Sequence, residues 1–296
     1  HKKHYHPSIA HFYFYGNFPI EKHLDFLEEK VFAHFTKIDH LPPLPFQKRF
    51  SEPKFIKETF PSTDQTDGTL ALSFLCAQIT DYEDILALTV LDSLLMDTDA
   101  SLLKKPLLDS GLCKEVGSYL DTEMSEIPWN IIFKGVEENN REKLHLLVIQ
   151  TLKDIAKKPL PEKEIQDALH QIEFTRSEIV GDRMPYGLIL YMRAFLATPH
   201  GARPEHNLKI HSLFAKLNEK IKEKTYLPKV IEKYFINNTH VIDLLMLPDK
   251  NKAKEELEKE KESLKKISKS LDEEKIKQIK KEAKELIAYQ EHQDTE

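Results

Sequence analysis

At 296 residues the chain suits one large domain or two small ones, and its 40% hydrophobic content can fill a sizeable core. Charged residues make up 31%, and no run of about 18 apolar positions exists, which excludes a membrane-spanning helix. A net charge of −6 argues against non-specific nucleic-acid binding, and two cysteines, Cys76 and Cys113, are too few for a disulfide framework, so a reducing compartment is expected.

The chain starts at His1 with neither Met nor an apolar signal segment, so it is expected to be internal to a longer protein. His11–Tyr15 (HFYFY) is aromatic and alternating, a strand by pattern, stopped by Gly16-Asn17. Ile20–Phe35 carries Leu24, Leu27, Val31 and Phe35 near helical spacing. LPPLPFQKRF, residues 41–50, has prolines that forbid a helix and mark a linker.

A compact unit is expected after the linker. Lys54–Phe60 alternates as a strand, PSTDQTDG forms a turn, and the apolar Thr69–Ile79 reads as a central strand. Asp81 stands where it would cap a helix over Tyr82–Met96, and a short helix from about Ala100 ends at Ser110-Gly111. Residues 112–120 and 129–136 read as two further strands, Asn140–Phe235 as mostly helical, and His240–Leu247 as a last strand. The order predicts an α+β fold: a mostly antiparallel sheet with helices packed on one face, followed by a helical hairpin. The tail, Asn251–Glu296, is dense in Lys and Glu and breaks at Leu271-Asp272, with Asp272 as a helix cap. It reads as a solvated hairpin, with a partner-binding coiled coil as the alternative.

The residue types that carry chemistry are sparse in pattern. Neither H-E-x-x-H nor H-x-x-E-H occurs. His1, His4 and His6 cluster before Pro7 and are expected to be surface or interdomain residues; His200, His206 and His211 straddle Gly201 and Pro204 as a minor metal candidate. Cys76 and Cys113 are expected to be buried and inert, and Ser110 to be a helix cap, since no G-x-S-x-G surrounds it. Trp129 follows Pro128 at an expected strand start and is read as core or interface. No Gly-rich phosphate loop is present, and no carboxylate sits in a sequence context that marks it as a general acid or base. No catalytic, cofactor-binding or metal-binding residue is therefore assigned.

Four stretches, taken in order, are distinctive: YHPSIAHFYFYGN (5–17), LALTVLDSLLMDTDASLLKKPLLDSGL (86–112), FKGVEENN with IEFTRSEI (133–140 and 172–179), and NNTHVIDLLMLPD (237–249). Together they resemble the presequence-protease and falcilysin-like branch of the insulinase-type (M16) zinc metalloproteases, over essentially the whole chain. The final YQEHQDTE (289–296) is similar to the stretch that closes that family's central linker. The resemblance implies four homologous α/β domains in two halves, joined by a helical hairpin and closing around a peptide. Zinc is held in the first domain by an inverted H-x-x-E-H motif, and none of the metal, base or substrate-gripping residues maps onto this chain. Residues 1–48 would be the end of the catalytic domain plus the Pro-rich linker, 49–249 a second, non-catalytic domain, and 250–296 the hairpin.

On this mapping the early histidines are remnants of an interdomain surface. The chain departs from the family pattern at Lys104, Cys113 and Val241, where Arg, Gly and Arg are usual. The implied role is a non-catalytic chamber wall and hinge of a zinc metalloendopeptidase that degrades short unfolded peptides, inactive by itself. Its partners would be the remaining domains of the parent and the unfolded peptide, with no nucleic acid and no membrane. A bacterial cytoplasm is the expected location, an organelle matrix the alternative. The rival reading is a stand-alone, enzyme-dead scaffold. The strand at residues 10–15, cut off from its sheet, is expected to pack on the second domain or, preferentially, to pair with another copy of the chain.

Overall fold

The computed structural model describes residues 5–38, 45–62, 67–179 and 184–292. In chain order the main elements are α1 (Ile20–Lys30), β1 (Lys54–Pro61), β2 (Gly68–Gln78), α2 (Tyr82–Met96), α3 (Lys104–Asp109), β3 (Glu115–Leu120) and β4 (Glu126–Val136). There follow α4 (Arg141–Ala156), α5 (Glu162–Ser177), α6 (Tyr186–Phe195), α7 (Ile210–Ile221), α8 (Tyr226–Ile231), β5 (Val241–Asp249), α9 (Lys252–Ser270) and α10 (Glu273–Glu291). Two compact units result: residues 1–57 with 67–245, and 58–66 with 246–296.

The five strands form one sheet in the order β1-β5-β2-β4-β3, and the β2–β4 and β3–β4 pairs are antiparallel. Burial alternates along β2 from Gly68 to Cys76. Leu70, Leu72 and Phe74 are fully covered, while Ala71 and Ser73 stay half-exposed. On β4 the matching covered set is Trp129, Ile131 and Phe133, with Asn130, Ile132 and Lys134 on the other side. A side-chain period of two places these sets on opposite faces, so one face carries the core and the other meets solvent.

The covered face receives α2, whose Ile85, Leu86, Leu88, Leu91, Leu94 and Leu95 are all buried. A helix that is apolar all round must be covered all round. The sheet covers one side of α2, and α5, α7 and α8 cover the rest. At about 1.5–3 kcal/mol per fully buried aliphatic side chain, this helix is the main source of cohesion in the first unit. Trp129, Phe74 and Phe235 meet beneath it with ring centroids 4.3–5.7 Å apart. The Trp129 Nε1–H and the Ser118 hydroxyl both donate to Asp92 Oδ1 on α2, at 2.6 and 2.5 Å. That carboxylate pins the helix to β3 and β4 and satisfies the indole.

Most expected elements form, and the differences have physical causes. Asp81 sits at the N-cap of α2, but its carboxylate accepts from the Gln78 N–H at 3.1 Å and makes no bond to the helix. The strand expected from residue 129 starts at Glu126, because Pro128 lies in β4 opposite Leu75 without ending it. Trp129 is thus mid-strand. Residues 10–15 do not form a strand. A strand needs a neighbouring edge for its backbone groups, and this segment is instead held through side chains on α6. Tyr191 Oη donates to the His11 carbonyl at 2.7 Å, and the Tyr13 and Tyr191 rings stack at 4.5 Å. Gly187 makes the approach possible: a Cβ there would lie 2.5 Å from Tyr13 Oη.

Asp272 caps α10 as expected, accepting from the Lys275 N–H at 2.7 Å. Neither α9 nor α10 contains a buried residue. The early residues His1 and His4, the start of the Pro-rich linker (41–44), the turn at 63–66 and the last four residues lie outside the described residues.

A bulge interrupts β4. Gly68 pairs with Val136 and Thr69 with Lys134, which leaves Gly135 unmatched, with φ +73°. This is the left-handed conformation that a bulge of this kind assigns to glycine. A Cβ at Gly135 would also lie 2.5–2.7 Å from the Lys114 side chain. Gly135→Ala is expected to lower stability by about 1–2 kcal/mol, read as a lower urea midpoint at unchanged slope. Deleting residues 251–296 is expected to leave a cooperative thermal transition, since α9 and α10 bury nothing; loss of that transition would show that these helices complete a core.

Candidate functional site

Each residue type singled out in the sequence has a local occupation. Cys76 is buried, its thiol 3.4 Å from the Phe74 carbonyl, and burial pushes its pKa up to about 12. Cys113 is also buried, with its thiol pushed up by desolvation. Neither is a thiolate nucleophile at neutral pH. Ser110 Oγ donates to the Leu107 carbonyl at 2.6 Å and accepts from the Leu112 N–H, so it closes α3.

The histidines do not converge. His6 accepts from the Ser8 N–H, His200 stacks on Phe46, His206 sets its ring edge toward Tyr82, and His211 faces Glu173 at 3.5 Å. Among the described residues, no group of three His, Cys, Asp or Glu is arranged to hold a metal ion. The residues present therefore do not fit the zinc implied for the parent, and no catalytic step is derived through it.

What the fold does build is two buried carboxylate nodes. The first anchors the linker. Glu126, 4% exposed at the head of β4, accepts from the Gln47 N–H at 2.6 Å and pairs with Arg49 at 2.9 Å. Arg49 also donates to the Leu75 and Cys76 carbonyls at the end of β2. Next to it, His240 Nδ1 accepts from the Phe50 N–H at 3.1 Å while the two rings stack at 3.9 Å. Thr239 Oγ1 donates to the Phe50 carbonyl. Gln47, Arg49 and Phe50 of an irregular segment are thus fixed across the ends of β2, β4 and β5.

The second node is Asp243 on β5, 2% exposed. It accepts from Arg141 at 2.9 Å and faces His145 Nδ1 at 2.9 Å, both one turn apart on α4. Arg141 lies over the Phe55 ring at 4.4 Å. The sequence reading assigns no role to Asp243, Glu126 or Arg49. A signal for Asp243 was present: in HVIDLLML it shares the inward register of Val241 and Leu245, where a lone carboxylate requires a cation. Glu126 and Arg49 carry no such signal, because they meet only through the fold.

The uncovered sheet face is polar and ordered. Ser73 Oγ donates to Asn130 Oδ1 at 2.6 Å, and Lys134 pairs with Glu115 across the β4–β3 ladder at 3.0 Å. Tyr119 and Ile132 stand exposed beside them. This surface can position a ligand. No activated nucleophile or base accompanies it among the described residues.

Residues 5–38 present a third feature. Only Leu27 is buried there among the described residues, while Phe12, Phe14, Tyr15, Phe18, Leu24, Phe26 and Phe35 are all 39–69% exposed. Exposed apolar patches of this size mark interaction surfaces.

Residues 1–172 match the family described as the peptidase M16 inactive domain. The chain belongs to that family. Protein HypA of Clostridium perfringens is 30% identical over 293 residues, covering 97% of this chain and 30% of the relative. Presequence protease 1 (chloroplastic/mitochondrial) of Arabidopsis thaliana is 31% identical over 310 residues, covering 99% of this chain and 28% of the relative. The M16 inactive-domain chain thus spans under a third of these relatives' length. In solved structures the fold is that of a protease from Helicobacter pylori (TM-score 0.53, 16% identity, 77% of this chain and 52% of that one). It is also that of the periplasmic protease PqqL from Escherichia coli (TM-score 0.53, 12% identity, 79% of this chain and 25% of that one). No helix among the described residues is long and apolar enough to cross a membrane.

Burial, and then the nearby Arg49, hold the His240 imidazole below its ordinary pKa of 6.5. A histidine depressed in the folded state takes up its proton more readily when unfolded, so its contribution is complete above 6.5 and declines as pH falls below it. Protonation also removes the acceptor for the Phe50 N–H. The melting temperature is expected to fall between pH 7 and pH 5.5, and His240→Asn to flatten that slope; an unchanged slope in the variant would assign the effect elsewhere.

Proposed function

We propose that this chain is the non-catalytic wall and hinge portion of a zinc metalloendopeptidase that degrades short unfolded peptides. The observation that carries the reading is the asymmetry of the sheet. One face is sealed by α2 and its neighbours, and the other is left open, with Ser73, Asn130 and Lys134 beside Ile132 and Tyr119, in a family whose members are described as inactive domains of M16 peptidases. A rigid sheet with one solvent-facing side suits the lining of a space that admits extended chains. The relatives named presequence proteases support a parent that handles peptides.

The exposed aromatic surface of residues 5–38 is the docking face for the remainder of the parent. Its cost in water is offset only when another domain covers it. The linker anchor at Arg49, Glu126 and His240 then passes the position of that domain to the sheet. The two helices after β5, polar and without a buried residue, serve as the connection to the parent's other half. The zinc and its ligands belong to the rest of the parent.

The test is to express the parent protein and the 296-residue chain side by side. The parent is expected to cleave a fluorogenic unfolded peptide, to lose that activity with a chelator, and to spare a folded protein of the same composition. The chain alone is expected to cleave nothing and to retain no stoichiometric zinc after dialysis. Chelator-sensitive turnover by the chain alone, or a parent without peptidase activity, would overturn the reading.

A further inference from the structure

Near the end of α5, Arg176 occupies an electrostatically anomalous place. It is half-buried, and among the described residues its guanidinium has no hydrogen-bond acceptor and no carboxylate partner. Its charged neighbour is another cation, Arg193 on α6, which donates to the Arg176 carbonyl at 3.2 Å. Burial, followed by repulsion from Arg193, weakens the hold of Arg176 on its proton. Withdrawing a guanidinium from water toward a second one is costly unless an anion compensates, and the described residues place none against it.

Both arginines line one cavity of about 280 Å³, bounded by the start of α2, the β3–β4 turn, α5, α6 and the start of α7. Three neutral groups share it: Tyr82, Thr122 and Asn207. The Tyr82 hydroxyl lies buried behind this lining without a hydrogen-bond partner. Glu123 at the rim is the one carboxylate in the lining, and it forms no ion pair with either arginine. The charge balance of the lining is therefore positive, and its polar groups are mostly donors. The remaining walls are aliphatic, from Ile79, Ile85 and Leu196.

We propose that this cavity is an anion-binding subsite for a peptide carboxylate, gripped by Arg176 and Arg193. A planar carboxylate matches the guanidinium fork in two parallel hydrogen bonds. The volume lies just under the range of about 300–1,000 Å³ that holds a whole small ligand, so it accepts the end of a chain or one side chain. The aliphatic walls suit the methylene or side-chain carbons next to that group. The assignment rests on the peptide-handling reading above. Its test uses the isolated chain and reads binding alone, so its failure is separable from a failure of that reading.

The experiment is calorimetric titration of the 296-residue chain with unstructured, N-acetylated peptides. One carries a free C-terminal carboxylate, a second is its amide, and a third is the amide with an internal Glu. Inorganic phosphate is a fourth, separate titrant. Saturable binding of the first or third, weaker by roughly tenfold or more for the plain amide, is expected; which of the two binds identifies the source of the carboxylate. Arg176→Gln is expected to remove that preference, and Arg176→Lys to keep part of it.

Without ligand, Arg176→Gln is expected to melt at or above the temperature of the parent chain, because it relieves an uncompensated charge; a purely structural arginine would give the reverse. Should that variant fail to fold, Arg193→Gln reads the same preference. Equal affinity for acid and amide, binding of phosphate alone, or a carboxylate preference that survives both substitutions would overturn the proposal.

Discussion

The first unit depends on one constraint: α2 carries apolar residues over most of its circumference, and these must be covered from several sides. The sheet can cover only one side of it, so α5, α7 and α8 have to close over the rest. This makes the sheet one-sided. Leu70, Leu72 and Phe74 of β2 and Trp129, Ile131 and Phe133 of β4 are drawn to the α2 face, and the opposite face is left with Ser73, Asn130, Ile132, Lys134 and their neighbours. Asp92 fixes the rotation of α2 in this arrangement, since its carboxylate faces the Trp129 indole and the Ser118 hydroxyl. A helix turned by one position would bury that charge without donors.

The same constraint explains where charge is tolerated inside. Among the described residues the two fully buried carboxylates are each reached by a guanidinium. Glu126 has Arg49, and Asp243 has Arg141. Both pairs join parts of the chain far apart in sequence, so each works as a fastening: linker to sheet in one case, α4 to β5 in the other. Arg176 is the exception, a guanidinium brought into the helical layer with no acid against it among the described residues. Within a structure that otherwise pairs its inward charges, that exception points to something outside the chain.

Membership of the M16 inactive-domain family fits this distribution of chemistry. The fold invests its polar groups in fastening and in a rigid open surface. Its thiols are buried, its serine at position 110 closes a helix, and its described histidines are scattered among local contacts. Much of this layout holds surfaces in register.

Local pattern determined a great deal. The apolar runs of 69–79 and 82–96 marked β2 and α2 in the sequence, whereas the one-sided burial along β2 emerged only in the fold. Asp272 and Gly111 mark helix ends through short-range backbone geometry, and these too were legible. The α+β class followed from the order of elements. What the sequence could not carry was any feature made by residues meeting across the fold. The aromatic segment at 10–15 has the alternation of a strand, yet strand formation needs a partner edge, and it lies on α6 through Tyr191 and Gly187 instead. Pro128, a stop by local rule, sits within β4. The Glu126–Arg49 and Asp243–Arg141 pairs and the Arg176–Arg193 cavity join residues between 17 and 102 positions apart. Their energetics arise from desolvation and charge proximity, which exist only once the tertiary structure has brought the groups together.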